Sequence, residues 1–63
     1  MSEYESLGTH IIEVTTTLAI GVDLGDGVVW LPRSVVEYGD DMEAGETHDI
    51  SVKTWFAEKE ALV

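Results

Sequence analysis

Between Ile12 and Leu24 the apolar side chains fall on alternate positions: Ile12, Val14, Leu18, Ile20, Val22 and Leu24, with Thr16 the one polar member. Glu13, Thr15, Thr17, Ala19, Gly21 and Asp23 lie between them. A period of two with β-branched enrichment predicts a half-buried strand, one face on a core and the other, with Thr15, turned outward. Thirteen residues at ~3.3 Å each would span ~43 Å, too long to stay flat in a small domain. The strand is therefore expected to bend, with Gly21 as the place for a bulge.

Gly25-Asp26-Gly27 turns the chain, because Asp-Gly tolerates the positive φ of a tight hairpin. Val28 to Leu31 form the return strand, stopped or pushed to an edge by Pro32. A two-residue Asp26-Gly27 loop would pair Leu24 with Val29 and Val22 with Leu31, setting Trp30 on the outer face beside Gly21 and Asp23. A three-residue loop would flip the register and send Trp30 into the core. The shorter loop is the favoured reading. Ser34-Val35-Val36-Glu37 fits a capping box and a single helical turn, while Val35, Val36 and Tyr38 also suit a continued strand.

Gly39 to Glu46 reads as loop. Thr47 to Lys53 alternates again, with Ile50 and Val52 on one side and Asp49, Ser51 and Lys53 on the other. Thr54 is a good N-cap for a helix over 54–62, in which Trp55, Phe56, Leu62 and Val63 share one side and close the sheet like a lid. Residues 1–8, small and acidic, read as a loose leader. The predicted fold is one domain over 1–63, α+β and mainly β. It is a twisted antiparallel sheet of three to four strands, or a small open barrel, with one short C-terminal helix.

Composition narrows the function. The chain has 63 residues and no cysteine, so its core is small and neither disulfides nor thiolate metal sites support it. No apolar run approaches the length of a membrane span, and MSEYESLG lacks the basic start and apolar block of a signal peptide. A cytoplasmic protein is expected. Three basic residues against thirteen acidic give a formal charge of −10. That charge repels phosphates and anionic lipid, so direct nucleic-acid or membrane binding is not expected, while a basic partner is attracted. Solubility is the plainer use of the same charge. Oligomerisation is one way to support so small a core, and a homodimer stays open.

The acidity concentrates in EYGDDMEAGETHD, the acidic loop over 37–49, where Glu37, Asp40, Asp41, Glu43, Glu46 and Asp49 make six acids in thirteen residues. A partly extended segment would place alternate carboxylates ~6–7 Å apart, near the phosphate spacing of one nucleic-acid strand. An EF-hand register started at Asp41 fits only Glu43, with Glu46 at the glycine position and Val52 at the closing one. No metal or other cofactor is expected. His10 and His48 sit on different segments without ligand spacing, and no nucleophile elbow or phosphate-cradling glycine loop is present. Catalysis is therefore not expected. Trp55 and Phe56 read as core. Trp30 is either core or an exposed anchor of the kind that dominates interfaces. Arg33, the only arginine, is expected to pair with a carboxylate.

Two stretches, Trp30-Leu31-Pro32-Arg33-Ser34 and Trp55-Phe56-Ala57-Glu58-Lys59-Glu60-Ala61-Leu62, resemble short phage and prophage proteins. These carry a Trp-aliphatic-Pro-basic-Ser segment and a closing Trp-x-Ala helix, with an acidic loop between. The resemblance implies a phage origin, hence the host cytoplasm, and supplies no catalytic residues. Small acidic phage proteins are similar in kind to anti-CRISPR and DNA-mimic inhibitors. The expected function is a non-enzymatic inhibitor that occupies a basic, nucleic-acid-binding surface of a host protein or nucleoprotein complex. It would bind through Glu37, Asp40, Asp41, Glu43, Glu46, Asp49 and Trp30. The alternative is an accessory or assembly module whose acidity serves only solubility.

Overall fold

In the computed structural model, which describes residues 3–62, Tyr4–Thr15 forms one long strand, β1. Its first half pairs antiparallel with β4 (Thr47–Lys53) and its second half with β2 (Ala19–Asp23). A hairpin joins β2 to β3 (Val28–Pro32), giving a four-stranded antiparallel open sheet in the order β3-β2-β1-β4. A short helix, α1 (Thr54–Lys59), follows β4. This is the predicted α+β, mainly β class. The loose leader expected over 1–8 is instead strand from Tyr4 onward, held by pairing of Tyr4, Glu5 and Ser6 with Lys53, Val52 and Ser51. Met1 and Ser2 lie outside the described residues.

The long strand expected from Ile12 to Leu24 is two strands. Thr16 closes a tight turn, its N–H donating to the Ala19 carbonyl at 2.8 Å while its Oγ1 accepts from the Ala19 N–H at 3.0 Å. Leu18, placed on the inner face by simple alternation, sits on this turn and is 79% exposed. Two bulges bend β1, in place of the one expected at Gly21. At the first, Leu7 and Gly8 together oppose Ile50, and Gly8 takes a φ of 92°. The second, at Glu13, changes faces: Ile12 opposes Val22, but Val14 opposes Gly21 and Thr15 opposes Ile20. Directly opposed residues share a face, so Val14 points out and Thr15 points in, the reverse of the alternation reading.

The β2–β3 hairpin closes with Asp23 opposite Val28, leaving Leu24 to Gly27 as a four-residue loop rather than a two-residue one. Asp23 carries this loop by accepting the Gly25 N–H on Oδ1 at 2.7 Å. The slip is two residues, so the faces survive: Ile20 meets Leu31, Val22 meets Val29, and Gly21 meets Trp30 on the outer face. Ile12, Ile20, Val22, Leu31, Ile50 and Val52 are fully buried on the inner face. At about 25 cal/mol per Å² of apolar surface removed from water, this cluster is the main favourable term in folding.

After Pro32 the chain makes a 3₁₀ turn over Arg33–Val35, capped by Pro32 with no side-chain cap bond, so the Ser34 capping box does not form. Val36 then pairs with Val52 in a single bridge, and the Glu37 N–H donates to the Ser51 carbonyl at 2.8 Å. Both readings of this segment hold in succession, a turn and then a short extended piece that covers part of the β4 edge. The helix starts at Thr54 with Lys53, not Thr54, as N-cap. It ends in a Schellman arrangement. Ala61 takes a left-handed φ of 54°, its N–H bonds the Glu58 carbonyl, and the Leu62 N–H bonds the Ala57 carbonyl at 2.8 Å. Phe56 and Ala57 are buried, whereas Trp55, expected in the core, is 55% exposed and stands edge-on to Phe56. Consecutive residues on a helix are about 100° apart, so Phe56 faces the sheet and its neighbour Trp55 is carried toward solvent. Val63 lies outside the described residues.

Candidate functional site

The acidic segment is held at its far end by backbone bonds to Ile12, which accepts from the Gly45 N–H and donates to the Glu46 carbonyl at 2.8 Å each. At its near end it is held by three residues that are not acidic. Met42 is buried in the core cluster, a lone apolar side chain in the middle of the charge run. Gly39 is buried against the 3₁₀ turn, where a Cβ would stand 2.7 Å from the Arg33 carbonyl oxygen. Arg33 completes the attachment. Its Nη1 donates to the Gly39 and Met42 carbonyls at 2.6 and 2.9 Å, and its Nε and Nη2 both donate to the Thr16 carbonyl at 3.0 Å. The guanidinium thus ties the acidic segment to the β1–β2 turn. The carboxylate partner expected for Arg33 is replaced by backbone carbonyls, whose partial charges its rigid fork fits.

Within that frame Asp40, Asp41, Glu43, Glu46 and Asp49 are exposed and Glu37 is half-buried. The segment is not extended: Gly39–Asp41 is a 3₁₀ turn entered through Tyr38 at a φ of 60°, and the chain turns again at Ala44-Gly45. The phosphate-like spacing expected from alternate strand positions is therefore not built by this backbone. Glu46 also folds back. Its Oε1 accepts from His48 Nε2 at 2.8 Å and from the Glu43 N–H at 3.0 Å. The His48 bond first, and the Glu43 N–H second, hold the Glu46 carboxyl below its ordinary pKa. Asp49 accepts a 3.0 Å bond from Ser6 Oγ on the outer face of β1 and β4.

Trp30 stands apart from these acids. It is 51% exposed on the outer face, opposite Gly21, so the core reading is set aside. Val14 and Val28 close over the same glycine, where an added Cβ would come within 2.6 and 2.9 Å of their Cγ1 atoms. Val14 is 39% and Val28 48% exposed. An aromatic placed across from a strand glycine shields its bare backbone, which accounts for part of the Trp30 ring. The rest faces solvent with the two valines. Sequence reasoning missed Val14 as an outer-face residue, because the Glu13 bulge carries no composition signal.

His10 and His48, separate in sequence, are direct cross-strand partners. Each ring nitrogen Nε2 is engaged, His10 with the Leu7 carbonyl at 2.7 Å and His48 with Glu46. Among the described residues no group of three or more acidic or histidine side chains is placed to hold a metal ion. No described helix is long and apolar enough to cross a membrane.

Fold and surface together define a small acidic α+β protein with a pinned acidic segment and a separate apolar outer face. No family model, curated protein or solved structure matches the chain.

Proposed function

We propose that this chain is a non-enzymatic binding protein that engages a basic protein surface, of the kind that holds nucleic acid, through its exposed carboxylates. One observation carries this reading. The acids are almost unpaired with cations within the fold, since the one ion pair among the described residues joins Glu46 to His48. Arg33 is spent on carbonyls, and only Lys53 and Lys59 remain against thirteen acids. Their field is therefore directed outward, where it steers a cationic partner and repels nucleic acid. Three exposed members of the pinned segment, Asp40, Asp41 and Glu43, concentrate that field in one place. A phage origin and an inhibitor's role are the finer form of the reading, supported by the two short motifs around Trp30 and Trp55.

The test uses proteins enriched on heparin, a fraction dominated by basic nucleic-acid-binding surfaces. Immobilised protein is expected to retain members of that fraction at about 50 mM salt and release them by about 500 mM, as screening shortens from ~14 to ~4 Å. Duplex DNA should compete with it, and Asp40→Lys with Asp41→Lys and Glu43→Lys should retain nothing. Equal retention by the reversed variant, or retention indifferent to salt and DNA, contradicts the reading. The second reading, assembly through an apolar contact, is favoured by the exposure of Trp30, Val28 and Val14. It predicts binding that barely responds to salt.

A further inference from the structure

β3 is apolar at every position, Val28, Val29, Trp30, Leu31 and Pro32. Alternation sends only Val29 and Leu31 to the core, so a solvated outer face would carry polar residues at 28, 30 and 32. None is there. The outer face continues across β2 as Ala19 and Gly21, opposite Pro32 and Trp30, and onto β1 as Val14, opposite Gly21. β3 is also the last strand of the sheet, paired with β2 alone among the described residues. Edge strands are ordinarily protected by a charge, a bulge or a covering element. Among the described residues Pro32, which lacks an N–H, closes one end, and at the other Ala61 and Leu62 line a small pocket with Val28 and Val29.

The charge around this surface selects its occupant. Glu13 lies on β1, Asp23 on β2 and Asp26 in the β2–β3 loop, while the adjoining cation, Arg33 just past Pro32, is engaged by the Thr16, Gly39 and Met42 carbonyls. Asp23 itself is an outer-face residue, opposite Val28. A second copy would bring the same acids, and a further −10, against them. A cationic segment has no such cost, and its lysine or arginine would find the half-open face of Trp30 as a cation–π platform.

We propose that the open edge of β3 and the apolar face centred on Trp30 form one docking surface. Its occupant is an extended segment of a partner protein in which apolar residues alternate with lysine or arginine. The segment adds as a strand against Val28–Pro32, its backbone satisfying the edge groups and its side chains covering Val28 and Trp30. This surface is distinct from Asp40, Asp41 and Glu43, and the two contacts fail separately.

Isotope-labelled protein titrated with a synthetic peptide of about eight residues, alternating valine and lysine, reads this by NMR. The largest amide shifts are expected at Val28–Pro32 and the Trp30 indole, with slowed exchange of the β3 edge amides. A valine–glutamate peptide of equal length should leave the spectrum unchanged. Val28→Lys should weaken binding about tenfold or more, as loss of a central contact does. Thr47→Lys, which adds the same charge to the polar part of the outer face, should change it less than about threefold, and so should Asp40→Asn with Asp41→Asn and Glu43→Gln. Shifts confined to 37–49, equal losses in Val28→Lys and Thr47→Lys, or equal binding of the glutamate peptide overturn the proposal. So does self-association of the free protein in sedimentation that Val28→Lys abolishes, which would make a second copy the occupant.

Discussion

The outer face of this sheet has two halves that obey different rules. Where β1 meets β4 it carries Ser6, Thr9, Thr47, Asp49 and Ser51, with Ser6 bonded to Asp49 across the strands and Ile11, 53% exposed opposite Thr47, as a single apolar member. Where β1, β2 and β3 meet it carries Val14, Gly21, Val28 and Trp30. The fully buried positions of the inner face are apolar under both halves, Ile50 and Val52 on β4 and Ile20, Val22 and Leu31 on β2 and β3, while Glu5, His10 and His48 face the same side at the margin of the β1–β4 half. Folding thus needs only one apolar face, and on the first half the outer face is mostly polar, its one large apolar residue, Ile11, flanked by Thr9 and Thr47. The second half keeps apolar surface that the core does not require. Surplus of this kind, contiguous and flanked by Glu13, Asp23 and Asp26, is the feature expected of a contact surface.

The comparison can be broken most strongly from within. Ile50→Ala, under the polar half, is expected to cost about 2–5 kcal/mol, and Ile20→Ala under the apolar half a similar amount, by chemical denaturation. A large inequality would show that the inner face is not one core. A smaller effect sharpens the apolar half. Gly21→Ala forces a Cβ against Val14 and Val28 and is expected to cost about 1–3 kcal/mol through overpacking. Val14→Ala in the same chain should restore part of that loss, a non-additivity expected only if the two side chains touch.

On the polar half, Thr9→Ala and Thr47→Ala should each stay within about 0.5 kcal/mol. The smallest effect is a titration. Glu46 has its folded pKa lowered from 4.5, so its contribution is present above the unfolded value and is lost as pH falls through the folded one. His48→Ala should raise the Glu46 pKa, followed through its carboxyl carbon by NMR. An unchanged value would place the cause in the Glu43 N–H alone.

Much of the fold was legible because period and turn chemistry agreed with it. Thr47 to Lys53 lies as its alternation requires, and the faces of β2 and β3 survive a hairpin loop two residues longer than expected. The break at Thr16 to Leu18 was not legible. Three threonines favour strand locally, and the turn is held from a distance by Arg33, through its guanidinium on the Thr16 carbonyl and its N–H on the Leu18 carbonyl. The Glu13 bulge reversed Val14 and Thr15 for the same reason, since tertiary pairing decides where an extra residue goes. Of the candidate site, the acids were visible at once. Their scaffold was not, because Met42 and Gly39 look like ordinary members of a solvated loop until the core they touch is known.

The central claim is that the acids act outward on a basic surface, and the association rate tests it most directly. Stopped-flow association of the chain with a purified basic partner from the heparin-retained fraction is measured over a range of ionic strength. The wild type is compared with Asp40→Asn, Asp41→Asn and Glu43→Gln added one at a time, and with a control set of Glu3→Gln, Glu5→Gln and Glu58→Gln. A rate that falls steeply with salt, and in steps with each charge removed from 40, 41 and 43, is the expected result, with dissociation changing far less. A rate flat in salt, or equal losses from both sets, contradicts it.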